Sequence, residues 1–303
     1  MPYAVNRILI RKFSNSKLWM RSFAMETKTQ TYPRPSIPTF FALAFAISWA
    51  FWGLAIIAPG TTWAVIGYYG GGFGPFIAAL ITVAVLGKSP WVWFKSLWRC
   101  RVAPRFWAFA LLFPVAMALA ASMMFGVAGG QTDWADAATR LALWPAAFAT
   151  VTLVGGGNEE LGWRGLALPA LQDHMSPMVA TSILGVLWAA WHIPLIAVTG
   201  GGWDAFRMSG AELLPVAITF LSVTAHAFWY TWLYNHTGSV LLCVLLHGGY
   251  NAANHIFIFV PLDALHGPDE LRLLIIMTGL LVTSVGALII ATKGQLGHSH
   301  KYG

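Results

Sequence analysis

Long apolar runs separated by short polar stretches fill most of the chain. They fall at 38–58, 63–86, 106–127, 178–198, 213–233, 239–260 and 271–291, and one more begins near Leu141. That last run continues into Asn158-Glu159-Glu160-Leu161-Gly162-Trp163-Arg164-Gly165. Each run is close to the ~20 residues that a helix needs to cross a bilayer core. The pattern predicts an all-α fold, a polytopic membrane helix bundle of about eight transmembrane helices. The second run contains Gly70-Gly71-Gly72-Phe73-Gly74-Pro75, which allows close helix approach or a local break.

Composition agrees with a membrane protein. The chain has 303 residues, 57% hydrophobic and 10% charged, with a mean hydropathy of +0.65. A soluble domain carries about 25% charged residues. The reading divides the chain into a basic N-terminal segment at 1–37, a transmembrane domain at 38–292 and a tail at 293–303. The first segment reads as a basic presequence or, preferably, as residues ahead of a true start at Met25. Cys100 and Cys243 lie in a basic loop and an apolar run, which makes neither a disulfide framework nor a metal pattern.

The net charge is +7, and most lysines and arginines flank the runs. That points to the lipid bilayer and anionic headgroups as partners, not to nucleic acid. Lys88, Lys95, Arg99, Arg101 and Arg105 stand beside Trp91, Trp93 and Trp98, as at a membrane interface. With eight spans, the N-terminal segment, this loop, Arg164, Lys293 and Lys301 fall on one side, and only Arg140, Arg207 and Arg272 on the other. The positive-inside rule then puts both termini in the cytoplasm, and in a bacterium the membrane is the inner one. The double glutamate falls towards the cytoplasmic half.

Charges at membrane depth are costly unless paired or solvated, so they are functional candidates. On a helix Glu160 and Arg164 are four apart and share a face. Glu159 sits about 100° further round and is left for another task. His192 follows in Leu187-Trp188-Ala189-Ala190-Trp191-His192, and His247 and Asn251 in His247-Gly248-Gly249-Tyr250-Asn251. The last two share a helix face. A histidine moves protons near neutral pH, and an asparagine amide donates to an oxyanion. Taken singly, each of these groups could simply bond a neighbouring helix.

Together, Glu159-Glu160-x-x-x-Arg164, Trp188-x-x-x-His192 and His247-x-x-x-Asn251 resemble the motifs of the CPBP family of intramembrane endopeptidases. That family includes the Ras-converting type of CAAX prenyl protease and bacterial homologues. The resemblance runs from about Leu141 to Asn254. Its second motif usually begins with Phe, where this chain has Trp188, a difference that bears on pocket shape.

The resemblance implies a glutamate-dependent endopeptidase that hydrolyses a peptide bond of a membrane-associated protein or peptide. It implies that Glu159 and His192 activate a water and that His247 and Asn251 stabilise the oxyanion. Glu160, Arg164 and Trp188 are supporting groups, and no cofactor is expected. His226, Asn235, His236, Asn254 and His255 are read as interfacial or supporting.

Three alternatives stand beside this reading. Glu159, His192 and His247 would make a zinc set like that of some metalloproteases, although no H-E-x-x-H helix is present. A non-enzymatic scaffold or immunity protein could keep the same fold. A transporter would show related halves, which this sequence lacks.

Overall fold

The computed structural model describes residues 36–199, 210–261 and 268–298. Residues 1–35 of the basic segment at 1–37, Arg207 and Lys301 lie outside the described residues. The described chain is all helix and turn. It runs α1 (Ser36–Ile57), α2 (Thr62–Gly71), α3 (Gly74–Val85), α4 (Pro90–Ser96), α5 (Pro104–Val127) and α6 (Ala137–Val154). Beyond an irregular segment follow a single turn α7 (Glu160–Gly162), α8 (Leu168–Gln172), α9 (Pro177–Trp191), α10 (Ile193–Thr199), α11 (Gly210–Thr237), α12 (Val240–Ile256) and α13 (Pro268–Ala291).

Among the described residues, six helices are long and apolar enough to cross a membrane, and the bent pair α2 and α3 makes seven if it counts as one span. The expectation of eight is corrected at two places. The run at 63–86 breaks after Gly71, and its two halves meet at 57°. The run at 239–260 yields α12, which has only 17 residues. At 1.5 Å per residue it is about 25 Å long, short of a core of about 30 Å.

The glycines in the break bring helices close. A side chain at Gly67 would run into the backbone of α1 and one at Gly74 into the Ser48 side chain of α1, whose Oγ donates to Gly71 O at 2.7 Å. Both outcomes foreseen for this stretch, close approach and a break, occur together.

Helix α12 is the centre of the bundle. Eleven of its 17 residues are buried, and it packs against α5, α6 and α11. Gly248 lies against Thr152 of α6, and Gly249 lies against Phe148 of α6 and Pro114 of α5. Protein rather than lipid surrounds this helix, which is why it tolerates His247 and Asn251. By contrast, large apolar residues on the outer helices point outward, among them Ile57 (70% exposed), Val85 (73%) and Ile290 (79%). In a bilayer those faces meet acyl chains.

The basic loop contains α4 rather than interface residues alone. Trp91 is exposed, but Trp93 is buried and donates from Nε1 to Gly165 O at 3.0 Å. Beyond α4, Arg99 Nη1 donates to Thr237 O, and Ser239 Oγ donates to Arg99 O at 2.7 Å. The loop thus fixes the point where α12 begins. At the other end of the chain, Asn235 Nδ2 donates to Leu296 O, and Leu296 is buried against α11 and α13.

Candidate active site

The double-glutamate stretch is not a regular helix. Helix α6 ends at Val154, and Gly155 and Gly156 follow, Gly156 with φ +129°. L side chains rarely adopt that conformation. A 3₁₀ turn (Gly157–Glu159) leads into α7, and a π turn (Trp163–Ala167) leads out of it. Single π turns inside helices are rare and often mark functional sites. The whole stretch from Gly156 to Leu168 is buried.

The two glutamates face different partners. Glu160 is fully buried, and its Oε1 accepts from Arg164 Nη1 at 2.9 Å. The same oxygen bonds His247 Nδ1 at 2.9 Å. With Glu160 ionised, Nδ1 carries the hydrogen, and the imidazole points Nε2 away from the pair. The guanidinium of Arg164 lies between two rings, 5.0 Å from Trp188 and 4.8 Å from Tyr230. That sandwich stabilises a desolvated cation.

Glu159 is held by indoles. Its Oε2 accepts from Trp188 Nε1 at 2.8 Å and from Trp163 Nε1 at 3.3 Å. Both donors converge on one oxygen, which leaves Oε1 for another hydrogen. Trp163 is itself fixed, ring to ring, by Phe40, Phe41 and Trp191.

His192 lies just past the end of α9. Its Nδ1 donates to Trp188 O at 2.8 Å, which makes Nε2 an acceptor. Trp49 Nε1 clamps the preceding carbonyl, Trp191 O, at 3.0 Å. On α12, Asn251 Nδ2 donates to Gly155 O at 2.8 Å. A Cβ placed on Gly156 would come within 2.6 Å of Asn251 Nδ2 and 2.7 Å of His247 Nε2. Those two nitrogens therefore face one small space, and Gly156 keeps it open.

A cavity of about 500 Å³ reaches this space. Glu159, His192, Asn251, Gly155 and Gly156 line it, with Trp52, Tyr68 and Tyr69 on the wall opposite. His247 borders a second, smaller cavity instead. The structure thus brings Glu159, His192 and Asn251 to one cavity and ties Glu160, Arg164 and His247 into one buried ion network.

Among the described residues, no three His, Cys, Asp or Glu side chains gather as metal ligands. The zinc set considered from sequence, Glu159, His192 and His247, does not form such a group.

A family model described as Type II CAAX prenyl endopeptidase Rce1-like matches residues 140–253. The stretch is an Rce1-like domain. The CAAX prenyl protease 2 of Methanococcus maripaludis is similar to this chain, 31% identical over 143 residues. The alignment covers 46% of this chain and 48% of that protein, so the chain spans about half the length of the curated relative it matches.

Every residue singled out from the motifs lies inside the Rce1-like domain, but the domain does not build the cavity alone. Trp52, Tyr68, Tyr69 and Gly72 come from outside it. Sequence reasoning missed Asn158, whose Oδ1 accepts from Gly156 N at 3.2 Å and whose Nδ2 donates to Gly72 O at 2.8 Å. It also passed over Gly156 itself, although three consecutive glycines ahead of the acidic pair were a visible signal. Trp188 does more than keep an aromatic ring in place. It supplies a donor to Glu159 that a phenylalanine lacks.

Proposed function

We propose that this protein is an intramembrane endopeptidase in which Glu159 is the general base. The observation that carries the reading is the state of that one side chain. Glu159 is 6% exposed, anchored through Oε2 by two indoles, and set on the same cavity as His192 and Asn251. A scaffold has no need to hold a carboxylate in this way, since an unpaired buried charge is costly.

In the proposed reaction a water lies between Glu159 Oε1 and His192 Nε2. Glu159 takes its proton as the water oxygen attacks the carbonyl carbon of the scissile peptide. The negative charge that develops on the carbonyl oxygen is met by Asn251 Nδ2–H and His247 Nε2–H. For the second donor His247 carries hydrogen on both nitrogens, with Glu160 as its counter-ion. Collapse of the tetrahedral intermediate breaks the C–N bond, and the proton held by Glu159 passes to the leaving amine.

The substrate class follows from the surroundings. Helices with lipid-facing outer surfaces enclose the cavity, so a chain that reaches it is membrane-associated. The relative's name adds a candidate, a prenylated peptide ending in a CAAX sequence. The charge distribution supports both termini on the cytoplasmic side, with cleavage on that side.

The test is purified protein in lipid vesicles with a farnesylated CAAX peptide, followed by mass spectrometry. A single new peptide pair from wild type, absent with Glu159→Gln, is the expected result. Equal cleavage by the two proteins overturns the assignment.

A further inference from the structure

The bundle holds a second polar compartment that the reaction above does not account for. It measures about 200 Å³ and lies between α11, α12 and α13. Thr219, Ser222, His226, Tyr250 and Thr278 line it, and His192, Asn251 and Asn254 border both it and the larger cavity.

Two of these side chains each carry a buried polar atom with no hydrogen-bond partner. His226 is 8% exposed, and its Nε2 is buried and unanswered. Its Nδ1 donates to Ser222 O at 2.8 Å, so Nε2 is an acceptor that needs a donor. The ring is held against Tyr250, with centroids 4.1 Å apart, and cannot turn freely to find one. Thr278 is 4% exposed, and its Oγ1 is also unanswered. Leaving such groups unpaired away from water is costly. Buried water is the usual remedy where a site is polar and roomy, and one water needs only about 15 Å³ of such space.

A membrane-embedded hydrolase has a supply problem. The larger cavity is walled by Trp52, Tyr68, Tyr69, Val151, Val154 and Leu195. Once an apolar substrate fills it, bulk water is displaced. We propose that the smaller compartment is an internal water chamber, anchored by His226 and Thr278, which delivers the hydrolytic water past His192 and Asn254 to Glu159. His226 is then a positioning residue. The delivery step rests on the endopeptidase reading, but the water chamber itself does not.

The first test needs no substrate. Radiolytic hydroxyl-radical labelling in ¹⁸O-water marks side chains beside bound water. Tyr250 is 7% exposed and lines the chamber, while Trp93 is 1% exposed and does not. We expect Tyr250 in the wild-type protein to take up ¹⁸O several-fold faster than Trp93. The double variant His226→Phe, Thr278→Val should bring it down to the Trp93 rate. A Tyr250 that labels no faster than Trp93 in wild type overturns the chamber.

The second test uses the cleavage assay. His226→Phe keeps the ring but removes the acceptor, and kcat should fall about tenfold, the loss of one hydrogen bond, with KM within twofold. His226→Gln restores an acceptor and should recover most of kcat. A changed KM with unchanged kcat would instead make the compartment a pocket for a substrate side chain, and would overturn the delivery role.

Discussion

Trp188 Nε1 donates to Glu159 Oε2 at 2.8 Å, while the same ring covers the guanidinium of Arg164 at 5.0 Å. One side chain thus holds the proposed base and shields the ion network behind it. Trp188→Phe keeps the cover and removes the donor. Hydrogen bonds to charged groups contribute about 1.5–3 kcal/mol, and Trp163 still supplies a second donor. The variant should fold normally and keep measurable cleavage, reduced by no more than about 100-fold. The pair Trp163→Phe, Trp188→Phe should lose far more. Cleavage rates of the two variants, compared at equal folded yield, check this.

The adjacent glutamates should separate by stability. Glu160→Gln and Arg164→Ala each leave a buried charge without its partner, which costs ~3–5 kcal/mol. Both should lower folded yield and activity together. Glu159→Gln keeps the shape and removes a buried charge, so it should melt no lower than wild type and cleave little. Thermal melting in detergent alongside the peptide assay decides the matter. A stable, inactive Glu160→Gln with an active Glu159→Gln would reverse the two roles.

Gly156→Ala should close the oxyanion space. The added methyl group meets Asn251 Nδ2 and His247 Nε2, and the backbone at φ +129° disfavours it further. Backbone strain of this kind costs about 1–3 kcal/mol. We expect a modest drop in melting temperature and a loss of kcat much larger than that drop accounts for. Cleavage near the wild-type rate would mean that the oxyanion lies elsewhere.

Metal dependence offers a separate check. Glu159, His192 and His247 do not gather as a group of metal ligands, so cleavage should persist in chelator. Elemental analysis of active protein should find no stoichiometric zinc. One tightly held zinc per chain, lost together with activity, would favour the metalloprotease alternative.

Orientation is open to a reporter at the C-terminus. The arginine and lysine bias predicts that it is cytoplasmic. A reporter active only outside would require an odd number of crossings or an inverted bundle. The broken pair α2 and α3 is then the first place to look, because its 57° bend suits either a crossing or a re-entrant loop.

Much of this was legible in advance because membrane sequences are simple to parse. The apolar runs became helices α1, α5, α11 and α13 with small shifts at their ends, and the run at 178–198 became α9 and α10, broken at His192. The spacing of Glu160 and Arg164 was enough to foresee their contact at 2.9 Å. What escaped was set by tertiary packing. No periodicity distinguishes α12, buried by protein on most sides, from a helix that faces lipid. The 3₁₀ and π turns around Glu159 depend on how Gly162 packs against Pro75 and how Trp93 caps Gly165. The bond from His247 to Glu160 links residues 87 positions apart.

Asn158 joins two distant parts of the chain. Its amide links Gly156, beside the reacting groups, to Gly72 in the broken span. All of the proposed chemistry sits in 140–253, while Trp52, Tyr68 and Tyr69 shape the opposite wall from outside it. In the proposed reading the cutting groups and part of the substrate wall therefore come from different stretches of the chain, joined through Asn158. Changes at Tyr68 and Tyr69 should therefore shift preference, whereas Phe40, Phe41 and Trp49 steady Trp163 and the Trp191 carbonyl and belong with the reacting groups.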